Sequence, residues 1–145
     1  MAALKKRYYP KIAEEVYLAT LDNGMSLSII KKKGFIEKAA FLSTNFGALD
    51  NRFYIDGKLQ TYPAGIAHFL EHKLFEDDQG RDVTLDFVKL GADVNAFTTL
   101  DRTTYYFSTI DHFEESLELL LKFTSEFTSS EDTVNHEKRI IEQEI

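Results

Sequence analysis

Residues 68–72 read His-Phe-Leu-Glu-His, placing two imidazoles and a carboxylate inside the otherwise apolar run "GIAHFLEHKLF". On a helix, positions four apart lie on one face, one turn apart, so His68 and His72 can reach a single ion. Glu71 falls beside the pair. The order H-x-x-E-H is the reverse of the H-E-x-x-H zinc motif and supports the same division of labour. Two neutral imidazoles bind zinc, and the carboxylate takes a proton from a zinc-activated water. Ionisable groups on an apolar helix cost free energy unless something pairs with them, and a metal ion is one such partner. Two histidines fall short of a catalytic zinc site, which usually has three protein ligands. Further candidates lie in "HEKRIIEQEI", where Glu137 and Glu144 are seven apart and share a helix face with Ile140 and Ile141. Two carboxylates on an apolar stripe are expensive without a cation. The remaining histidines, His112 and His136, sit among polar residues near expected helix starts and read as solvated.

The elements that must position these groups can be read along the chain. Residues 16–21 alternate, Asn23-Gly24 supplies positive φ angles for a tight turn, and residues 25–31 form the return strand. A third strand is expected over residues 37–48. The stretch 49–63 reads as a polar, turn-rich loop punctuated by Asp56-Gly57. A helix is expected over residues 64–75, with Pro63 near its start, and a second over 82–90, closed by Gly91 as a C-cap. "ADVNAFTT" and "TTYYFST" are strand-like, and Thr98, Thr103 and Tyr105 read there as ordinary β-formers. Asp111 and Glu114 form a capping-box start to a helix striped by Phe113, Leu117, Leu120, Leu121 and Phe127. Ser130 caps a last helix from residue 131. This order implies an α/β (α+β) two-layer sandwich, with a mainly antiparallel or mixed sheet carrying helices on one face.

The 145 residues suffice for one domain around one core. A net charge of −7 argues against a nucleic-acid surface, which needs clustered Lys and Arg. The short basic runs at 5–7 and 31–33 read as solvated surface charge. With no cysteine, neither a disulfide framework nor a thiol ligand is available. No run approaches the roughly 20 apolar residues of a membrane span, and the first residues lack a signal-peptide core. The expected compartment is the cytoplasm, with no membrane partner.

"AHFLEHKLFE" resembles the active-site helix of the pitrilysin–insulysin family of zinc peptidases, the inverzincins, which also includes the mitochondrial processing peptidase. "NHEKRIIEQEI" is similar to its downstream helix, "GADVNAFTTLDRTTYYFST" to its intervening hairpin, and "LDNGMSLSII" to its opening strands. The likeness runs from about Tyr17 to Ile145 and is strongest to bacterial cytosolic members. It implies a zinc-dependent endopeptidase of the metallohydrolase fold, with one zinc per chain. It also implies His68, His72 and Glu144 as ligands, Glu71 as general base and Glu137 as a supporting acid. Asn95 and Ala96 would lie on an edge strand where a peptide substrate adds as a further strand. Glu144 follows His72 by 72 residues, a little less than the family's pattern suggests. Family members are much longer, so the likeness implies that residues 1–145 are the first half of a catalytic domain. Its partners would be a peptide or small-protein substrate, the rest of its own chain, and a second homologous domain or paired paralogue. Such a fragment alone should turn over peptide poorly. The rival reading is a non-catalytic paralogue serving as a partner subunit, against which the intact motif counts.

Overall fold

The computed structural model describes residues 3–77, 79–127, 129 and 131–141 of the chain. They form two compact units, Met1–Ile36 and Glu37–Ile145.

The first unit is an antiparallel sheet in the order β1-β2-β3, from β1 (Lys5–Tyr9), β2 (Glu14–Thr20) and β3 (Ser26–Ile30). The expected hairpin is present, but its turn differs. Gly24 alone takes a positive φ, and Leu21 N–H donates to Met25 O at 2.8 Å, so the strands are joined by a longer loop. β1 adds a strand where a solvated basic run was expected. Its lysines stay at the surface as anticipated, and Lys6 pairs with Glu15 of β2.

The second unit carries the remaining elements. A sheet in the order β4-β8-β7 is built from β4 (Lys38–Thr44), β7 (Ala92–Thr98) and β8 (Thr103–Thr109). Both its pairings are antiparallel, with Leu42 opposite Tyr105 and Ala96 opposite Tyr105 from the other side. A hairpin of β5 (Arg52–Ile55) and β6 (Lys58–Thr61) stands where a loop was expected. Asp56 and Gly57, both at positive φ, make its two-residue turn. Four helices complete the unit: α1 (Ile66–Leu74), α2 (Thr84–Lys89), α3 (Phe113–Ser125) and α4 (Glu131–Ile141).

The core forms between this sheet and the helices. Tyr105 and Phe107 of β8 and Ala92 of β7 meet Val83 and Phe87 at α2 and Leu120 and Phe123 of α3. Alternation along a strand sends every second side chain to the other face. There Phe41, Tyr106 and Phe97 form an aromatic row, with Phe41 and Tyr106 stacked at 5.3 Å. The α+β sandwich with antiparallel sheets is the architecture expected.

Several boundaries move for identifiable reasons. Gly65 at φ 86 starts α1, so Pro63 lies outside the helix. Gly91 at φ 68 closes α2 as expected. The capping box at Asp111 is not formed. His112 takes the N-cap position in the left-handed region, and Ser116 Oγ donates to its carbonyl at 2.8 Å. The buried face of α3 is Ser116, Leu120 and Phe123, while Leu121 and Phe127 are exposed. The proposed cap Ser130 lies outside the described residues, as do Glu142, Gln143, Glu144 and Ile145. Among the described residues, no helix is long and apolar enough to cross a membrane.

Candidate metal centre and active site

Helix α1 splits its side chains by angle, as a 3.6-residue period requires. Ala67 and Glu71 turn inward and are buried. His68 and His72 lie together on a neighbouring, half-buried flank. Their rings stand nearly perpendicular, 88° apart in plane with centroids 4.6 Å apart. The two Nε2 atoms approach to 3.0 Å.

Helix α4 packs against α1 and carries Glu137 to His72. Glu137 is 4 % exposed, and its Oε1 lies 2.9 Å from Nδ1 of His72. A carboxylate has no proton to give, so Nδ1–H is the donor and the imidazole lone pair falls on Nε2. That nitrogen is the one facing His68. A carboxylate bonded to the far nitrogen of an imidazole is the usual support of a metal-ligating histidine. The residues present therefore fit a zinc ion at the Nε2 end of the pair. Ile141 is buried one turn on from Glu137, as the shared-face reading expects.

Glu71 is 8 % exposed and lies against the sheet. Thr98 of β7 donates its hydroxyl proton to Glu71 Oε2. Sequence reading took Thr98 for an ordinary β-former and missed this contact. No local signal carries it, because the partners are 27 residues apart. Tyr105 lies close enough to feel Glu71. Its phenol is pushed above the usual range, first by burial and then by the Glu71 charge.

Asn95 and Ala96 lie on β7, an edge strand of the β4-β8-β7 sheet among the described residues. Asn95 is exposed, and its Oδ1 accepts the Ala96 N–H at 2.8 Å. Ala96 is half-buried and packs on the core. His112 and His136 are exposed as expected, His112 within 3.3 Å of Glu115. Lys73, next to His72, was not singled out from sequence. It is fully buried and pairs with Glu76 at the C-terminal end of α1. Among the described residues, no set of three His, Asp or Glu converges as metal ligands, and the expected third ligand, Glu144, lies outside them.

Residues 60–145 match the family model described as insulinase, peptidase family M16. The chain is 44 % identical over 144 residues to a Bacillus subtilis (strain 168) protein named as an uncharacterized zinc protease, YmfH. That match covers 98 % of the chain and 33 % of YmfH, so the chain spans about a third of this relative's length. It is 31 % identical over 129 residues to an insulin-degrading enzyme homolog of Dictyostelium discoideum, covering 86 % of the chain and 13 % of the homolog. The crystal structure of an M16-like peptidase from Alicyclobacillus acidocaldarius superposes with a TM-score of 0.85 at 38 % identity. It covers 91 % of this chain and 31 % of that one. Pitrilysin shares the fold at a TM-score of 0.54 and 21 % identity, over 75 % of this chain and 12 % of pitrilysin. The sheet, the histidine pair on α1 and these matches agree, and the chain belongs to the insulinase family, peptidase family M16.

Proposed function

We propose that this chain is the metal-binding part of a zinc-dependent endopeptidase. One observation carries the reading. His72 is held between His68 at its Nε2 and the buried Glu137 at its Nδ1, on a helix that also buries Glu71. In this reading His68, His72 and Glu144 hold the metal. Zinc, when bound, supplies the Lewis acidity that brings the pKa of water toward about 7 and polarises a carbonyl.

The chain's own residues do the rest. Glu71 accepts a proton from the attacking water and delivers it to the leaving amine. Glu137 keeps His72 in the Nδ1–H tautomer and fixes its ring. Asn95 and Ala96, at the open edge of β7, pair with an extended peptide as an added strand. The relatives' greater length supports a further proposal, that these residues form the first part of a catalytic domain completed by later segments and a homologous partner domain.

Zinc content by elemental analysis tests the reading, on the wild type and on Glu144→Ala and Glu71→Gln. Near one zinc per wild-type chain is expected, lost or much weakened in Glu144→Ala. Glu71→Gln should keep zinc and lose peptide hydrolysis by about 10²-fold or more. A wild type that takes up no zinc after loading overturns the metal site. Hydrolysis at the wild-type rate by Glu71→Gln rejects Glu71 as the base.

A further inference from the structure

Thr98 faces Thr103 across the β7–β8 ladder, and their hydroxyl oxygens are 3.3 Å apart. A threonine hydroxyl has one proton to donate. Thr103 Oγ1 gives its proton to the carbonyl of Phe46, at 2.8 Å, and is 3 % exposed. Thr98 gives its proton to Glu71 Oε2. Each hydroxyl thus donates away from the other, and no proton lies between the two oxygens.

The carbonyl that takes the Thr103 proton is held in place, which leaves Thr103 no proton to give Thr98. Phe46 precedes Gly47, whose backbone is pressed against the β7–β8 turn. A Cβ there would lie 2.4 Å from Arg102 N and 2.6 Å from Asp101 N. Ala48 N–H then donates to Thr99 O at 2.9 Å, and Leu49 N–H to Leu100 O at 3.0 Å. Thr98 is itself β-branched, stiff at χ1, and borne by a paired strand. Glu71 has three rotatable side-chain bonds on a helix of nine residues, and its carboxylate is tied down from the sheet.

We infer that Thr98 is a positioning residue for Glu71, holding the carboxylate of the general base at one place through Oε2. This rests on the peptidase reading given above. Misplacement of a reacting group by about 1 Å can cost on the order of 10²-fold in rate. A bond from a rigid strand is suited to prevent that.

The test compares wild type, Thr98→Val and Thr98→Ser in the longer polypeptide, with steady-state peptide hydrolysis, zinc content and a crystal structure of each. Thr98→Val keeps the shape and removes the donor; Thr98→Ser restores the donor. In Thr98→Val, kcat should fall about 10- to 100-fold, with KM within about twofold and zinc unchanged. Its crystal structure should show the Glu71 carboxylate displaced from β7. Thr98→Ser should recover kcat to within about threefold of wild type. Wild-type kcat in Thr98→Val, failure of Thr98→Ser to recover, or an unmoved Glu71 carboxylate overturns the proposal. A wild type without chelator-sensitive hydrolysis defeats the peptidase reading instead, and the position of Glu71 in the two variants still decides what Thr98 does.

Discussion

Glu71 and Glu137 are both buried carboxylates, yet their neighbours suit them to different work. Glu137 spends an oxygen on an imidazole N–H at 2.9 Å. Glu71 spends one on a hydroxyl and lies near Tyr105, whose phenol its charge helps to keep protonated. Each would be costly to bury without such a partner. Removing the Glu137 carboxylate should leave the His72 tautomer unsupported. Glu137→Ala should therefore weaken zinc binding by about 10- to 100-fold. Glu137→Gln, which still presents an oxygen acceptor, should lose less. Competition with a chromophoric chelator measures both. An unchanged affinity in Glu137→Ala would make Glu137 a packing residue only.

The elements explain why some of this could be read from sequence and some could not. The spacing of His68, Glu71 and His72 states its own geometry, because a helix repeats every 3.6 residues. The burial of Glu137 beside Ile141 was legible for the same reason, through their shared face on α4. Turn chemistry was legible only in part. Asn23-Gly24 has the residues of a two-residue hairpin turn, but only Gly24 takes a positive φ. Asp56-Gly57 makes that turn, between strands of four residues each, too short to announce themselves by alternation. Thr98 was legible as a strand residue and illegible as a partner of Glu71, because strand propensity does not say what crosses the sheet. The loop at Gly47 was hidden in the same way. Its backbone contacts with Asp101 and Arg102 come from distant sequence. Gly47→Ala forces backbone against backbone, so it should destabilise the chain by about 1–3 kcal/mol. Urea unfolding measures this. A stability within about 0.5 kcal/mol of wild type, the usual spread for a surface change, would mean that the loop can retreat at little cost.

At the scale of the whole molecule, stability depends on the protons that the folded and unfolded chains bind. Asp86 is held down to about 2 by hydrogen bonds from Arg81 and Lys89. Its folded value lies below its unfolded one, so its contribution is present above about pH 4. That contribution is lost as pH falls toward 2. Asp86→Asn should be less stable than wild type at neutral pH, by no more than about 1 kcal/mol given the exposed partners. The gap should close between about pH 4 and pH 2, and shrink in high salt. Acid titration of the unfolding free energy of both proteins measures it; a gap that persists at pH 2 would assign the loss to packing. The pairing of His72 with Glu137 has a consequence of another kind, in time. The two are 65 residues apart in sequence. A ribosome adding about 5–20 residues per second delivers Glu137 some 3–13 s after the histidine pair. During that interval β7 and β8, against which the short helix α1 packs, are made first, so Thr98 is available to Glu71 before Glu137 is available to His72. The contact of Glu137 with His72 is thus the later of the two side-chain contacts that reach α1 from distant sequence, and it waits on the synthesis of α4.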